Sequence, residues 1–258
     1  MPWQSFFSAQ PKRASTRNLK TNPVLTEDTM KPFASEPFLK PVEWALWLFS
    51  MAVTLLSFFL SPARDGLNLA ASLFGVTALI FVAKGRIVGQ VFSIIFATLY
   101  GIASWRLSYF GETITYLGMA LPMAVFSLVS WLRHPFRDSR EVEVARLSRR
   151  SLSCLLALSV AVTTAFYFIL RALGTAQLAI STVSITTSFL AAGLSFLRSP
   201  FYALAYTAND VILIILWLLA AQKSAASAVM VACFALFLLN DLYGFWNWHR
   251  MRRKQELT

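Results

Sequence analysis

The chain has 258 residues, of which 57% are hydrophobic and 14% charged, with a mean hydropathy of +0.60 and a formal net charge of +11. This composition excludes a soluble globular domain, because the apolar residues are too numerous and stand in long blocks. The basic residues lie between those blocks and not on one face, so the membrane explains them better than nucleic acid does. The sequence predicts no nucleic-acid partner, no cofactor and no metal site, since it has only two cysteines and two histidines.

Eight apolar blocks follow one another, each close to the ~20 residues that a helix needs to cross the hydrocarbon core. They predict an all-α integral membrane protein with transmembrane helices at residues 44–60, 66–83, 87–105, 112–132, 151–171, 178–197, 200–221 and 224–248. Residues 1–43 are polar and predict a disordered tail without a cleavable signal peptide, with a transit peptide as the alternative. Residues 249–258 form a short basic tail.

The distribution of basic residues predicts the orientation of the chain in the membrane. Nineteen of the 23 lysines and arginines fall in the two tails and in the loops after the second, fourth and sixth spans. The other four, Arg64, Arg106, Arg171 and Lys223, lie on the opposite side. By the positive-inside rule, both termini are cytoplasmic.

The spans contain an internal repeat. Spans two to four end in Ser-Trp131-Leu-Arg, and spans six to eight end in Asn-Trp248-His-Arg. The middle helix of each group also ends in a tryptophan, Trp105 in the first and Trp217 in the second. The repeat predicts one N-terminal helix at 44–60 followed by a triple-helix bundle at 66–132, a linking helix at 151–171 and a second bundle at 178–248. Because the single linking span gives both bundles the same direction, the plan is the 3+1+3 parallel repeat of SWEET-type carriers.

Three segments resemble the PnuC family. The first runs from Phe110 to Met123 (Phe-Gly-Glu-Thr-Ile-Thr-Tyr-Leu-Gly-Met-Ala-Leu-Pro-Met), followed by Trp131, and is similar to the family's Tyr-Gly-Glu and Leu-Pro-Met-Gln segment. The second runs from Leu238 to Trp248 (Leu-Leu-Asn-Asp-Leu-Tyr-Gly-Phe-Trp-Asn-Trp) and resembles its closing Asn-Ser-Ile-Tyr-Gly-Phe-Ile-Asn-Trp motif. Ala-Thr-Leu-Tyr100 is similar to the family's Ile-Leu-Tyr. The resemblance covers roughly residues 66–250.

The resemblance implies a bacterial inner-membrane transporter of nicotinamide riboside, with thiamine or another vitamin or nucleoside as the alternative substrate. It also implies a SWEET-like fold, a homotrimer, and facilitated diffusion in which a cytoplasmic kinase traps the product. Where the family has Trp-Ile-Ile-Val-Asn, this chain has Tyr206-Thr-Ala-Asn-Asp210. Two family glutamines correspond to Ala124 and Ala192, so polar recognition groups of the family differ here.

Asp210 is the main candidate for a functional site. Counted from Arg198 and Lys223, it lies roughly 18–20 Å from either membrane edge at 1.5 Å per residue. A carboxylate at that depth indicates a functional site by default, and repeat transporters bind their substrates there. Tyr206, Asp210 and Trp217 share one helical face, which suits a flat cationic ring. The alternative is that Asp210 only bonds a neighbouring helix.

The other candidates each have a structural alternative. Asn209, Asn240, Asp241, Tyr100 and Thr186 are predicted to bind substrate, or else to pack against neighbouring helices or bond their own backbone. A second set is predicted to act in gating or structure: Glu112 caps the fourth span or gates it, Tyr116 packs in the core or lines the pocket, Pro122 kinks the helix, and Gly244 permits close approach.

These residues favour a carrier that exposes a midplane site alternately to the two sides. A membrane enzyme would need a nucleophile–base pair or metal ligands near an interface, which the sequence lacks. A structural or receptor role is the second alternative, and it predicts no flux of substrate. Proton coupling through Asp210 is a further hypothesis.

Overall fold

The apolar blocks of the sequence are helical in the part of the chain that the structure describes. The computed structural model describes residues 38–60, 66–106, 110–137, 139–175, 177–221 and 228–257. Its helices are α1 (Pro41–Leu60), α2 (Gly66–Ala83), α3 (Ile87–Arg106), α4 (Phe110–Arg133), α5 (Arg149–Ala172), α6 (Leu178–Phe196), α7 (Phe201–Ala221) and α8 (Ala228–Leu257). The prediction of an all-α protein is confirmed. The predicted tail at residues 1–43 lies almost entirely outside the described residues.

Within those ranges, six helices, α1 to α6, are long and apolar enough to cross a membrane. Helix α7 contains a shorter apolar segment, Phe201–Leu216. Large apolar side chains cover the outside of the bundle, and Phe59, Val160 and Phe168 are each at least 60% exposed. Such a surface is unsuited to water and well suited to lipid tails.

Two helices differ from the sequence prediction in their course. Helix α4 contains a π-helical turn, Tyr116–Ala120, in which the amide of Leu121 donates to the carbonyl of Tyr116. The turn stands directly before Pro122, which has no N–H to give and whose ring would clash with a carbonyl in a regular helix. Helix α8 continues beyond the predicted end of the span at residue 248 to Leu257. An i,i+4 pair, Arg252–Glu256, supports the added turns.

The helices pack as two groups of three. Helices α2, α3 and α4 are in sequential contact and form the first triplet; α6, α7 and α8 do the same and form the second triplet. The triplets touch through two helix pairs, α2 with α8 and α4 with α6. Helix α5 packs on α6, and α1 packs on α2 and α8. When α2, α3 and α4 are matched in order to α6, α7 and α8, the contact of α2 with α8 corresponds to the contact of α6 with α4.

Two buried tryptophans join the triplets. The indole N–H of Trp131 on α4 donates to the carbonyl of Ser195 on α6 at 2.9 Å. The indole N–H of Trp248 on α8 donates to the carbonyl of Val82 on α2, also at 2.9 Å. The two rings are fully buried, and their centroids are 5.4 Å apart. In each triplet, therefore, a tryptophan of the last helix donates a hydrogen bond to a carbonyl near the end of the other triplet's first helix.

The residues before these tryptophans repeat the pattern. Ser130 donates from its hydroxyl to the carbonyl of Phe196 at 2.8 Å, and Asn247 donates from its amide to the carbonyl of Ala83 at 2.9 Å. Each bond satisfies a carbonyl in the last turn of a helix, where no intrahelical donor remains.

The turns that follow α2 and α6 also correspond. Gly85 and Arg198 both adopt a positive φ, of 65° and 55°. Each donates its N–H to the carbonyl three residues earlier, and the next amide in each case donates to the carbonyl five residues earlier. This is the Schellman arrangement, which ends a helix by using its unpaired carbonyls.

The described residues of the next loop, 134–137 and 139–148, cover the end of the bundle that carries these turns, which we call the basic end. The amide of Val142 donates to the carbonyl of Gly85, and that of Ala145 donates to the carbonyl of Arg198. Gln255 on α8 donates to the carbonyl of Val142 and accepts from the amide of Val144. The loop thus ties both helix-ending turns to α8.

A buried ion pair holds α1 to the bundle. The carboxylate of Glu43 on α1 lies 2.6 Å from the ammonium group of Lys84, and both side chains are at most 2% exposed. Tyr243 on α8 donates its hydroxyl proton to the other oxygen of Glu43 at 2.7 Å. Glu43 therefore contacts the turn directly after α2 and helix α8 together, and both of its oxygens are satisfied, as a buried carboxylate requires.

Candidate binding site

A cavity of about 660 Å³ lies between the two triplets. Its lining comes from α2, α3 and α4 on one side and from α6, α7 and α8 on the other, with a contribution from the end of α5. It extends from Phe110 and Leu173, at the end of the bundle opposite the basic end, to Gln90 and Ser195. The volume falls in the range of about 300–1,000 Å³ that is usual for small-molecule sites.

The charged lining residues that the structure describes are all acidic. Glu112 on α4, Asp210 on α7 and Asp241 on α8 line the cavity, and no lysine, arginine or histidine is among the described lining residues. Carboxyl groups in a largely apolar enclosure without a base favour a cation as the ligand, since nothing else would compensate a negative charge there.

Asp210 and Asp241 form a carboxyl pair. They stand on adjacent helices of the second triplet, are 3% and 5% exposed, and both line the cavity. The second oxygen of Asp210, Oδ2, is buried and has no hydrogen-bond partner in the described part of the chain. It is an acceptor that a ligand in the cavity could use.

Asn209 also lines the cavity, and two hydroxyl groups of α6 fix its side chain. Ser184 and Thr187 donate to its Oδ1 at 3.0 and 2.9 Å. With this oxygen bonded to α6, the side chain bridges α7 and α6 beside Asp210. The single proton of the Thr187 hydroxyl is shared, because the carbonyls of Val183 and Ser184 also lie within hydrogen-bond distance of this oxygen.

Aromatic rings form part of the wall. Tyr206 stands one turn before Asp210 on α7, and Tyr116, Phe96 and Tyr202 also line the cavity. The centroids of Phe96 and Tyr116 are 5.7 Å apart in an edge-to-face arrangement. These rings and the carboxyl pair face the same space, which is the combination that binds flat cations in other proteins.

Several predicted residues are thus brought together, and others lie elsewhere. Tyr206, Asn209, Asp210 and Asp241, predicted to bind substrate, all line the cavity, as do Glu112 and Tyr116 from the gating and structural set. Tyr100 is outside the lining, and its ring packs against that of Tyr116 with the centroids 4.4 Å apart and the planes tilted by 55°. Pro122 is also outside the lining, next to the π-helical turn that contains Tyr116.

Three further predicted residues lie away from the cavity lining. Thr186 bonds the hydroxyl of Thr163 on α5 at 2.8 Å and donates to its own helix. Asn240 donates to Ser50 on α1 at 3.1 Å, so it faces the opposite side of α8 from the cavity. Gly244 lies where an added Cβ would be 3.1 Å from the hydroxyl of Tyr202, and it permits α7 and α8 to approach closely.

Trp217 is the remaining predicted site residue. It lies on α7, and its side chain falls outside the described part of the structure. Its place at the site stays a prediction. In the described ranges no group of three or more His, Cys, Asp or Glu residues is placed to hold a metal ion.

The sequence analysis did not predict the polar residues that line the cavity toward the basic end. Gln90 on α3 donates to the hydroxyl of Ser195 on α6 at 3.2 Å, and both are buried lining residues. This bond crosses from the first triplet to the second. A lone glutamine inside an apolar span was the available signal, because such residues usually face the bundle interior.

A bundle of membrane-length helices around an acidic cavity at the joint between two triplets has the form of a membrane transporter. Residues 65–250 match the family model described as nicotinamide mononucleotide transporter. Since the match covers well over half of the sequence, the chain belongs to this family, and it is a multi-pass membrane transporter.

Individual relatives agree with the family. The chain is 24% identical over 216 residues to a nicotinamide riboside transporter PnuC of Neisseria mucosa, covering 81% of this chain and 82% of the relative. It is 24% identical over 217 residues to the protein of the same name from Haemophilus influenzae, covering 83% and 92%. The predicted resemblance to PnuC proteins and the prediction of a transporter are confirmed, and both relatives are named as transporters rather than enzymes.

A solved structure shares the fold. The crystal structure of the vitamin B3 transporter PnuC superposes with a TM-score of 0.71 at 24% identity, over 84% of this chain and 94% of that one. At this identity the likeness concerns the fold alone.

Proposed function

We propose that the protein carries nicotinamide riboside, or a closely related cationic vitamin or nucleoside, across the bacterial inner membrane. The observation that supports this most is the acidic cavity between the triplets, with aromatic side chains beside the Asp210–Asp241 pair. A pyridinium ring carries the positive charge that such a pair attracts, and it is flat enough to lie against Tyr206. The names of the two relatives support the same substrate.

The lining favours the riboside over the mononucleotide that appears in the description of the family. A phosphate group is bound in proteins by arginine, lysine or a helix N-terminus. The described lining residues include no basic side chain, and the three acidic side chains disfavour a phosphate. Ala124 and Ala192, which stand where the resemblance places glutamines, also line the cavity, so fewer uncharged polar groups remain here to bind the ribose.

Transport proceeds, in this proposal, by alternating access. Eight spans form an N-terminal helix and a 3+1+3 parallel repeat, with both termini cytoplasmic and the basic end on that side. The corresponding tryptophan, serine and asparagine bonds at the joint between the triplets support the repeat. Tyr206, Asn209, Asp210 and Asp241 bind the substrate, while Glu112 and the π-helical turn with Tyr116 that precedes Pro122 take part in gating. From the resemblance to PnuC proteins we further propose that the protein assembles as a homotrimer and that a cytoplasmic kinase traps the imported product.

Uptake into proteoliposomes tests this proposal. Purified protein should give saturable uptake of labelled nicotinamide riboside. Unlabelled riboside should inhibit this uptake, and nicotinamide mononucleotide at the same concentration should inhibit it by only a small fraction. The mononucleotide is a matched control, since it differs from the riboside only in the phosphate. Thiamine and uridine extend the comparison to another flat cation and to a neutral nucleoside. Uptake no faster than in protein-free liposomes would contradict the assignment, and equal inhibition by the mononucleotide would contradict the argument from charge.

A further inference from the structure

We propose that Gln90, Ser127 and Ser195 bind the sugar hydroxyl groups of the substrate, so that the protein prefers a ribosylated cation to the same ring cation without a sugar. The inference rests on the proposed function, because it takes the positively charged ring to lie beside Asp210 and Asp241. It adds a second group of binding residues at another level of the cavity, which we call the hydroxyl subsite.

The hydroxyl subsite is built from both triplets. Gln90 stands on α3, Ser127 on α4 and Ser195 on α6, and all three residues line the cavity. Each of them is at most 4% exposed. A polar group that is buried to this degree costs free energy unless it is hydrogen-bonded, so the three side chains favour a ligand that brings hydrogen-bonding groups of its own.

The bond between Gln90 and Ser195 leaves hydrogen-bonding capacity in both side chains. A glutamine amide has two N–H donors and an acceptor oxygen, and a serine hydroxyl has one proton to donate besides its lone pairs. The bond at 3.2 Å uses one N–H of Gln90 and one lone pair of Ser195. The amide oxygen of Gln90 and the hydroxyl proton of Ser195 can therefore bond a ligand. Neighbouring sugar hydroxyls, which both donate and accept, match this set of groups.

The hydroxyl subsite and the carboxyl pair stand at different levels of the bundle. The rings of Trp131 and Trp248 pack together, and Trp131 bonds the carbonyl of Ser195, so Ser195 lies near the level of both rings. Asp241 precedes Trp248 by seven residues on α8, which is about 10 Å along a helix. Ser127 precedes Trp131 by four residues, or about 6 Å. A nucleoside that places its ring at the carboxyl pair and its sugar toward the basic end spans this difference in level.

Small side chains leave room for a sugar beside the hydroxyl subsite. Ala124 stands three residues before Ser127 on α4, and Ala192 stands three residues before Ser195 on α6. Both alanines line the cavity, and each is one turn farther from the basic end than its serine. Because a methyl group fills little of this space, the sugar can lie next to the alanines with its hydroxyls in reach of the serines.

Titration with two cations tests the hydroxyl subsite. 1-Methylnicotinamide has the same pyridinium ring as nicotinamide riboside, with a methyl group in place of the ribose. The purified wild type should bind the riboside at least about tenfold more tightly, which is the gain expected from two neutral hydrogen bonds. The double variant Gln90→Met, Ser195→Ala should lose most of this preference by weakening the riboside alone. Methionine has nearly the length of glutamine but no amide, so the change removes the bonds and keeps the bulk.

Two single variants complete the test. Ser127→Ala, a smaller change, should weaken the riboside severalfold and leave 1-methylnicotinamide unaffected. Ser93→Ala is the matched control: Ser93 also lines the cavity, but its hydroxyl donates to the carbonyl of Gly89 in its own helix at 3.0 Å, so the preference should stay as in the wild type.

The outcomes separate the hydroxyl subsite from the proposed function. Unchanged binding of 1-methylnicotinamide shows that a variant is folded, so a loss confined to the riboside supports the subsite. An undiminished preference in the double variant, or an equal loss for both cations, would overturn the subsite and leave the carrier standing. If neither cation binds the wild type, the proposed function fails as well.

Discussion

Replacing both carboxyl groups of the pair by amides (Asp210→Asn with Asp241→Asn) should lower the affinity for nicotinamide riboside by about a hundredfold or more. A charge pair that is shielded from water loses about 2–5 kcal/mol when one partner is removed, and 1.4 kcal/mol corresponds to a factor of ten. The measurement is isothermal titration of the purified wild type and variants. Asparagine has the size of aspartate and keeps hydrogen bonding, so the change isolates the charge.

The single variants make this prediction sharper. Asp210→Asn and Asp241→Asn should each lose much less than the double variant, because the remaining carboxyl group can still attract the cation. Two residues that act on the same ligand are expected to be non-additive in this way. Glu143→Gln removes a carboxylate that pairs with Arg198 at the basic end and should change the affinity less than twofold. If the double variant binds as tightly as the wild type, the carboxyl pair is not the site of the cation.

The second large effect concerns stability. Glu43→Gln should destabilise the protein by about 3–5 kcal/mol, because it leaves the buried ammonium of Lys84 without an opposite charge. The expected result is a clear fall in the melting temperature of the purified protein in detergent. The added change Lys84→Met should recover a large part of the loss, since removing both charges also removes the cost of burying them.

An exposed ion pair gives the matched control. Arg146 and Glu256 are 3.2 Å apart with well-exposed side chains, and Arg146→Met should leave the melting temperature nearly unchanged. If the Glu43→Gln variant had the same melting temperature as the wild type, the Glu43–Lys84 pair would contribute nothing to attaching α1. An equal loss in Glu43→Gln and in the double variant would indicate that packing, not charge, is responsible.

The helix positions could be predicted from the sequence because the membrane imposes a simple rule. A block of about 20 apolar residues must satisfy its own backbone bonds, so it becomes a helix whatever its neighbours are. The course of α4 could not be predicted to the same detail. Pro122 predicts a disturbance, but the π-helical turn at Tyr116–Ala120 is one of several ways to accommodate it, and packing decides among them.

The candidate site was predicted in part for a similar reason. Depth in the membrane can be counted from the sequence, and the count predicts that Asp210 and the Asn240–Asp241 segment lie near the midplane; Asp210 and Asp241 both line the cavity. Direction around the helix is harder to predict in a helix that is apolar on all sides. Asn240 and Asp241 are neighbours in the chain, yet Asn240 contacts α1 while Asp241 lines the cavity. Pairs such as Gln90–Ser195 and Glu43–Lys84 depend on which helices meet, which no local pattern reports.

The charge of the ligand offers the most direct test of the central claim, that an acidic cavity between two helix triplets selects a cation. Nicotinamide riboside and its reduced dihydro form have nearly the same shape, but only the first carries a positive charge. Titration of both into the purified protein should show a preference for the cation of at least about tenfold, corresponding to 1.4 kcal/mol or more. The preference should disappear in the double amide variant. Equal affinity of the wild type for the two compounds would contradict the claim.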